Sequence, residues 1–183
     1  EWASGYPAAT GIGTQHGGIL VDFNAVKGGI EIIPLDNDWQ RAAHVYSDEV
    51  LISHRTDAEK GTPKFERGKS LSDHQQEMIY ISGTAAIRGE ESIVTGDVLV
   101  QTEITLENIQ HLIGLEEGRE KLPEHSGKLE LLRVYLKHEE DAKIVKEDMD
   151  KLCPDVPIVY LYADVCREEL LVEIEGIAVS YTH

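Results

Sequence analysis

The stretch from Met78 to Val179 constrains the fold most, because segments typical of strands alternate there with segments typical of helices. Four segments have the composition of strands: 78–87, 129–136, 156–163 and 170–179. Two others, 97–113 and 139–152, place apolar residues three or four positions apart, as amphipathic helices do. Strands interleaved with two helices predict an α+β fold, in which a mixed sheet carries both main helices on one face.

Local signals mark the ends of these predicted elements. Asp97 is a plausible N-cap for the first helix, and Gly114 is a natural residue to end it. Pro154 cannot continue the second helix, because its ring removes a backbone N–H donor. Gly83 lies inside the first strand, where glycine usually marks a bulge or a close backbone approach.

The N-terminal part of the chain has a different pattern. Residues 19–35 alternate between apolar and other residues on both sides of Gly28–Gly29, which predicts a β-hairpin. The stretch 36–72 is polar and irregular, so we expect it to be mostly loop. We therefore divide the chain into an N-terminal extension with hairpin and loop, 1–74, and a main domain, 75–183. The order of elements becomes β-β, loop, β-α-β-α-β-β.

The charge balance restricts the partners of the protein. Asp and Glu total 34 against 17 Lys and Arg, a net charge of -17, and no basic patch interrupts this field. Binding to nucleic acid is therefore unexpected, because phosphates are repelled. A small anion can still bind, since one or two arginines act within a Debye length of roughly 8 Å. No stretch approaches the roughly 18 apolar residues of a membrane span, so no membrane partner is expected.

The two cysteines and the first residue bear on location and processing. Cys153 and Cys166 have no CxxC spacing, and such sparse use of cysteine is typical of a reducing compartment, so we predict a cytoplasmic protein. The chain begins at Glu1 without methionine. We therefore expect that it was processed, tagged or cut from a longer protein.

Few residues suggest specific chemistry by themselves. The histidines lack zinc-like spacing, and the glycine-rich segment 6–18 lacks nucleotide-binding patterns, so we expect surface histidines, no metal site and no cofactor. Cys166 beside Arg167 is either a nucleophile or an inert packed thiol. Glu173 and Glu175 share one face of a predicted strand. They are either two solvated carboxylates or include one buried general acid.

Four ordered strings carry a family resemblance over about residues 75–180: ISGTAAI, GDVLVQTEITLENIQHLI, LLRVYLK and LLVEIEGIAV. They resemble the Rid (YjgF) family, which implies a chorismate-mutase-like fold and a homotrimer with ligand clefts between subunits. Glu173 falls on the pocket glutamate of that family. Imine-deaminating members have an arginine where this chain has Ile158, so the resemblance argues against that activity. The endoribonuclease or translation-inhibitor label given to some members gains no support from the acidic charge.

Further strings extend the resemblance across the whole chain: YPAATGIG, QRAAHVYS, FERG, ISGTAAI and DVCREELLVEIEG. They are similar to the C-terminal part of the chorismatases, Rid-fold hydrolases that split chorismate into pyruvate and a cyclohexadiene or benzoate product. Chorismatases are longer, with an N-terminal half that this chain lacks. The resemblance implies that Glu173 protonates the enolpyruvyl group, that Arg167 and Tyr46 bind polar groups of the substrate, and that Cys166 lines the pocket.

The proposed chemistry matches the residue types. Hydrolysis of an enol ether needs a proton donor for the methylene carbon, and a buried carboxylic acid is suitable. A small anionic aromatic or cyclic carboxylate also needs cations, for which Arg167 and then Arg133 and Arg88 are candidates. Close backbone or hydroxyl contacts are expected from Gly11, Gly13 and Thr84. A Rid-like protein that binds a small molecule without catalysis is the main alternative, and a scaffold or regulatory partner is a third hypothesis.

Overall fold

The computed structural model describes residues 5–15, 17–51, 60–73, 75–114 and 128–181. Two α-helices lie in this part of the chain, α1 (Val98–Leu112) and α2 (Ala142–Leu152). The strands found there are β1 (Glu31–Leu35), β2 (Gly68–Ser72), β3 (Gln76–Thr84), β4 (Ile87–Arg88), β5 (Glu91–Ser92), β6 (Lys128–Leu136), β7 (Ile158–Tyr162) and β8 (Val172–Tyr181). Neither helix has the length and hydrophobicity needed to cross a bilayer.

Six strands form one mixed sheet in the order β1-β2-β3-β8-β6-β7, and β4 and β5 form a separate ribbon. The pair β6 and β7 is parallel, and the other neighbours in the large sheet are antiparallel. A parallel pair requires a crossover connection, which α2 provides between β6 and β7. The predicted mixed sheet with two helices is confirmed.

The first helix begins and ends where the sequence predicts. The side chain of Asp97 accepts hydrogen bonds from the backbone N–H groups of Leu99 and Val100, so it is the N-cap of α1. Gly114 has a φ of 72° and directly follows the C-cap residue Ile113. Glycine adopts this left-handed conformation without steric cost, so it allows the chain to leave the helix.

The two faces of the central strand β8 have opposite character. Val172, Ile174 and Ala178 are fully buried in the main core cluster, which also contains Ile109 of α1 and Met149 of α2. Successive side chains of a strand point to opposite faces, so Glu173 and Glu175 lie on the face away from the helices. Each large apolar side chain buried on the helical face contributes about 1.5–3 kcal/mol to folding.

The predicted hairpin across Gly28–Gly29 is wrong. Residues 19–27 form no strand, and β1 pairs instead with β2, with Glu31 opposite Ser72 and Leu35 opposite Gly68. The alternation in this segment does not create a buried face, since Ile19 and Phe23 are 94% and 78% exposed. The loop predicted for 36–72 is also wrong at its end, because residues 68–72 form β2 and extend the main sheet.

Candidate active site

Glu173 lies in β8 on the face of the sheet away from the helices, and only 7% of its surface is exposed. Its neighbour β3 changes register between Ile81 and Thr84, so the predicted irregularity around Gly83 is confirmed. A Cβ atom on Gly83 would lie 2.1 Å from Glu173 Oε1. Glycine is therefore required at this position to leave room for the carboxylate.

The N-terminal segment closes over this part of the sheet. Gly83 N donates to Thr10 Oγ1 at 2.9 Å, and Ala9 N donates to Ser82 Oγ at 3.0 Å. Gly13 and Asp164 exchange backbone hydrogen bonds of 2.9 and 3.0 Å. These contacts hold residues 9–13 across the strand ends, on the side of the sheet where Glu173 lies. They also help to explain why Glu173 is buried within a single chain.

Glu173 has the electrostatic environment of a proton donor. Burial, and then the charge of Glu175, raise the pKa of Glu173 to about 7, although the charge of Arg67 opposes this shift. No hydrogen bond to the Glu173 carboxyl group comes from the described part of the chain. A carboxylic acid that titrates near neutral pH suits general acid catalysis. The hypothesis of two fully solvated carboxylates is wrong for Glu173.

Arg133 contacts the neighbouring glutamate. Its Nη1 donates to Glu175 Oε1 at 2.6 Å, and the hydroxyl of Tyr135 donates to the same oxygen at 2.8 Å. The structure therefore places the predicted ligand-binding residue Arg133 in an ion pair with Glu175 on the same face of the sheet as Glu173. Burial and the hydrogen bond to Glu175 raise the pKa of Tyr135, so its phenol is neutral.

Arg67 is the main site residue that sequence reasoning missed. Only 3% of its surface is exposed, and its Nη2 donates to the carbonyl of Arg41 at 2.6 Å and to the Tyr46 hydroxyl. Its buried Nε has no hydrogen-bond partner, and no carboxylate of a described residue lies within 4.0 Å of its guanidinium. A buried cation without a paired anion is costly, and the charge of Arg67 acts on Glu173.

Tyr46 connects Arg67 to Arg167. The guanidinium carbons of Arg67 and Arg167 lie 5.4 and 5.5 Å from the centre of the Tyr46 ring. Arg167 Nη1 also donates to the Glu90 carbonyl at 2.9 Å and to Ser92 Oγ at 3.0 Å. It borders a cavity of about 290 Å³ lined by Glu49, Val50, Glu91, Ser92, Arg167 and Glu169. The predicted residues Tyr46 and Arg167 are therefore in contact, and Arg67 contacts Tyr46 as well.

Thr84 and Cys166 support the site more than they supply reactive groups. Thr84 is buried, and its hydroxyl donates to the Ser82 carbonyl at 2.9 Å, which braces the bulge in β3. Cys166 Sγ donates to the Gly11 carbonyl at 3.2 Å. Although Cys166 is accessible to solvent, partial burial and the charges of Glu173 and Asp164 raise its pKa. The thiol stays protonated, which argues against a nucleophile, and its exposure contradicts the expectation of a packed thiol.

The histidines do not form a metal centre in the described residues, where no cluster of three metal-ligating side chains occurs. The expectation of surface histidines is wrong for His111, which is buried and stacks on Trp39 with ring centres 3.9 Å apart. His111 also contacts Asp38 on the helical side of the molecule. It belongs to the packing around α1 and not to the site around Glu173.

Known proteins resemble this chain over nearly its whole length, although no family model matches it. A chorismatase from Streptomyces rapamycinicus is 35% identical over 179 residues, which cover 93% of this chain and 50% of that protein. The crystal structure of a chorismatase superimposes with a TM-score of 0.71 and 28% identity, covering 94% of this chain and 51% of the other. An L-PSP protein from Entamoeba histolytica shares the fold, with a TM-score of 0.55, 12% identity, and coverage of 82% and 100%.

These comparisons confirm the resemblance to chorismatases and the α+β Rid fold that the sequence predicts. The chain spans about half the length of the curated relatives that it matches.

Proposed function

We propose that this chain hydrolyses the enolpyruvyl ether of chorismate, or of a similar cyclic carboxylate, and releases pyruvate. The observation that carries the proposal is that a buried acid, Glu173, lies close to a buried arginine, Arg67, which has no ion pair with a described residue. Glu173 has a pKa of about 7, and the positive charge of Arg67 acts on it. The Nε of Arg67 has no hydrogen-bond partner in the described part of the chain. The similarity to proteins named chorismatase supports the choice of substrate.

In the proposed mechanism, Glu173 donates its proton to the methylene carbon of the enolpyruvyl group. The ether carbon becomes an oxocarbenium ion, and water adds to that carbon and releases a proton to Glu173. The resulting hemiketal then breaks its bond to the ring oxygen and yields pyruvate and a ring alcohol. The sum of these steps is the addition of one water molecule, and the acid is regenerated.

The arginines supply the charge that an anionic substrate needs. Arg67 attracts a substrate carboxylate through its positive charge, while Tyr46 and Arg167 lie on the same side of the site. Arg133 is engaged with Glu175 and is not needed as a substrate ligand. Because these contacts are local, the net charge of -17 does not prevent binding of an anion.

The proposal is tested by incubating the protein with chorismate and measuring pyruvate with lactate dehydrogenase and NADH. The wild type should release pyruvate, and Glu173→Gln should reduce the rate about 10²- to 10⁴-fold while the protein stays folded. Arg67→Met should raise KM. Lys146→Met, which removes a positive charge on α2 where it pairs with Asp150, serves as the matched control and should behave as wild type.

A wild type that releases no pyruvate would overturn the proposed activity. In that case, an increase in melting temperature with chorismate, absent in Arg67→Met, would favour the alternative of a small-molecule binding protein without catalysis. Full activity of Glu173→Gln would instead remove Glu173 from the role of acid. The two proposals thus separate in a single set of measurements.

We also propose that the protein forms a homotrimer. Exposed apolar side chains on the segment 19–26 and on β7 support an association surface, among them Ile19, Leu20, Phe23, Val159 and Leu161. Clusters of exposed apolar side chains often mark an interface. Light scattering coupled to gel filtration should give three times the 20.4 kDa chain mass, and a monomer would contradict the proposal.

We propose a cytoplasmic location because neither cysteine forms a disulfide. Cys153 and Cys166 are both free, and Cys153 is buried, so no disulfide contributes to the fold. Thiols persist in a reducing compartment. Fractionation of the source cells should recover the protein with cytoplasmic markers, and recovery in a secreted fraction would contradict this location.

A further inference from the structure

We infer that Glu175, held by Arg133 and Tyr135, is a positioning residue whose negative charge keeps the neighbouring Glu173 in its protonated form. This inference rests on the proposed role of Glu173 as the acid. Under this inference, Glu175, Arg133 and Tyr135 together keep Glu173 protonated at neutral pH.

The register of the sheet creates this arrangement. Glu173 and Glu175 lie two positions apart on β8, so they share a face and are roughly 7 Å apart along the strand. On β6, Tyr135 is opposite Glu173 and Arg133 is opposite Glu175. Both donors nevertheless reach Glu175, at 2.8 and 2.6 Å. Glu175 is thus held in an ion pair with Arg133, and Glu173 receives no such bond from the described residues.

Two nearby carboxyl groups in a partly buried site do not ionise independently. The one with hydrogen-bond donors holds the negative charge, and the other is favoured as the neutral acid. Here the donors are distributed unequally, since Glu175 has two and Glu173 none in the described part of the chain. The asymmetry adds to the burial of Glu173 in favouring this carboxyl group as the one that holds the proton.

The other groups that face Glu173 are consistent with this role. Tyr135 on β6 and Cys166 in the loop before β8 are neutral, because burial raises the pKa of both. Arg67, just before β2, is the cation that opposes the effect of Glu175. The facing part of β3 is Gly83, which carries no charge. A substrate carboxylate next to Arg67 would offset the positive charge that lowers the pKa of Glu173. Glu173 should therefore take up a proton when ligand binds.

The inference is tested by the pH titration of Glu173 in protein labelled with ¹³C at the glutamate carboxyl carbon. Loss of one signal in Glu173→Gln assigns the resonance. In Glu175→Gln, which keeps the shape but removes the charge, the midpoint of Glu173 should fall by roughly 0.5 to 1 pH unit. Glu147→Gln, on the exposed surface of α2, makes the same change in net charge and should leave the midpoint unaltered.

An unchanged midpoint in Glu175→Gln would overturn the inference. If that variant does not fold, Tyr135→Phe tests the same point, because it removes one of the two donors to Glu175 and should lower the midpoint of Glu173. An unchanged midpoint in that variant would also overturn the inference. These spectra do not depend on turnover, so a failure of pyruvate release would overturn the proposed function without affecting this test.

Activity provides a second readout where pyruvate release is found. The alkaline decline of kcat should move to lower pH in Glu175→Gln, because Glu173 loses its proton earlier, while KM changes little. Glu175→Asp retains the charge and should restore the position of the decline. A purely structural role would instead make both variants lose activity equally at all pH values, and that result would contradict the inference.

Discussion

The two faces of β8 form the main contrast in this molecule. On the helical face, Val172, Ile174 and Ala178 are buried among apolar residues of both helices. On the opposite face, Glu173 is buried beside charged groups, and Glu175 pairs with Arg133. Adjacent residues of one strand therefore differ: the first face stabilises the fold, and the second carries a carboxyl group with a raised pKa.

Burial therefore has different consequences for apolar and for acidic side chains of the same strand. For Ile174, removal from water contributes favourably to folding. For Glu173, removal from water disfavours the charged carboxylate and raises the pKa to about 7, with a further contribution from Glu175. We expect substitutions on the helical face to change stability, and substitutions on the opposite face to change the pH dependence of activity.

The largest effect on stability should come from the helical face. Ile174→Ala removes a fully buried side chain from the core and should reduce the free energy of unfolding by about 2–5 kcal/mol. Urea denaturation of the variant and the wild type provides the measurement. The folded variant should keep the titration midpoint of Glu173, and a shift as large as that in Glu175→Gln would erase the contrast between the faces.

The pH dependence of stability should reveal the cost of burying Glu173. Its pKa rises from 4.5 in the unfolded chain to about 7 in the fold, so the unfolded chain loses this proton first and stability falls as pH rises through this window. The loss amounts to about 3 kcal/mol when Glu173 is fully ionised. Glu173→Gln cannot ionise and should lack this decline.

Urea denaturation at pH 4 and pH 8 compares the two proteins. The difference in unfolding free energy between Glu173→Gln and the wild type should grow in favour of the variant at the higher pH. Other titrating groups are common to both proteins and cancel in the comparison. If the unfolding free energies of the two proteins changed equally with pH, the fold would not raise the pKa of Glu173.

A pair of glycines offers the finest comparison. A Cβ on Gly176 would lie 2.7 Å from the backbone oxygen of Leu131 and 2.6 Å from Leu132 Cδ2, whereas one on Gly83 would meet the movable end of Glu173. Gly176→Ala should therefore destabilise the fold by about 1–3 kcal/mol. Gly83→Ala should cost less stability but displace the acid and reduce pyruvate release more.

Thermal denaturation and the pyruvate assay, applied to both variants, measure these two effects. Because the substitution is the same, the comparison isolates the surroundings of each glycine. Gly83→Ala with normal activity would mean that the carboxyl group of Glu173 does not need its observed position. Gly176→Ala with unchanged stability would mean that β6 and β8 can separate slightly at little cost.

Sequence patterns predicted the regular elements well where periodicity and end signals agreed. Asp97 and Gly114 bound α1 as expected, and Gly83 marks the bulge in β3. The hairpin failed because alternation indicates an extended chain but not its partner. β1 finds that partner in β2, more than thirty residues away, where the existing sheet offers a free edge.

The candidate site was predicted in part. Glu173, Tyr46, Cys166 and Arg167 were chosen from the sequence, and the structure places them around one region. Arg67 was missed although it belongs to the FERG string, because residue type alone does not distinguish a buried arginine from an exposed one. Its position directly before β2 could be recognised only once the structure showed that strand.

The sequence by itself determined the α+β class, the two helices and the resemblance to chorismatases, since these follow from local periodicity and ordered motifs. Tertiary structure decided which carboxyl group is buried, that Arg67 is buried without an ion pair among the described residues, and which residues Arg133 and Tyr135 contact. The physical reason is that periodicity acts between near neighbours in the chain. Desolvation and charge interactions depend on atoms that distant segments bring together.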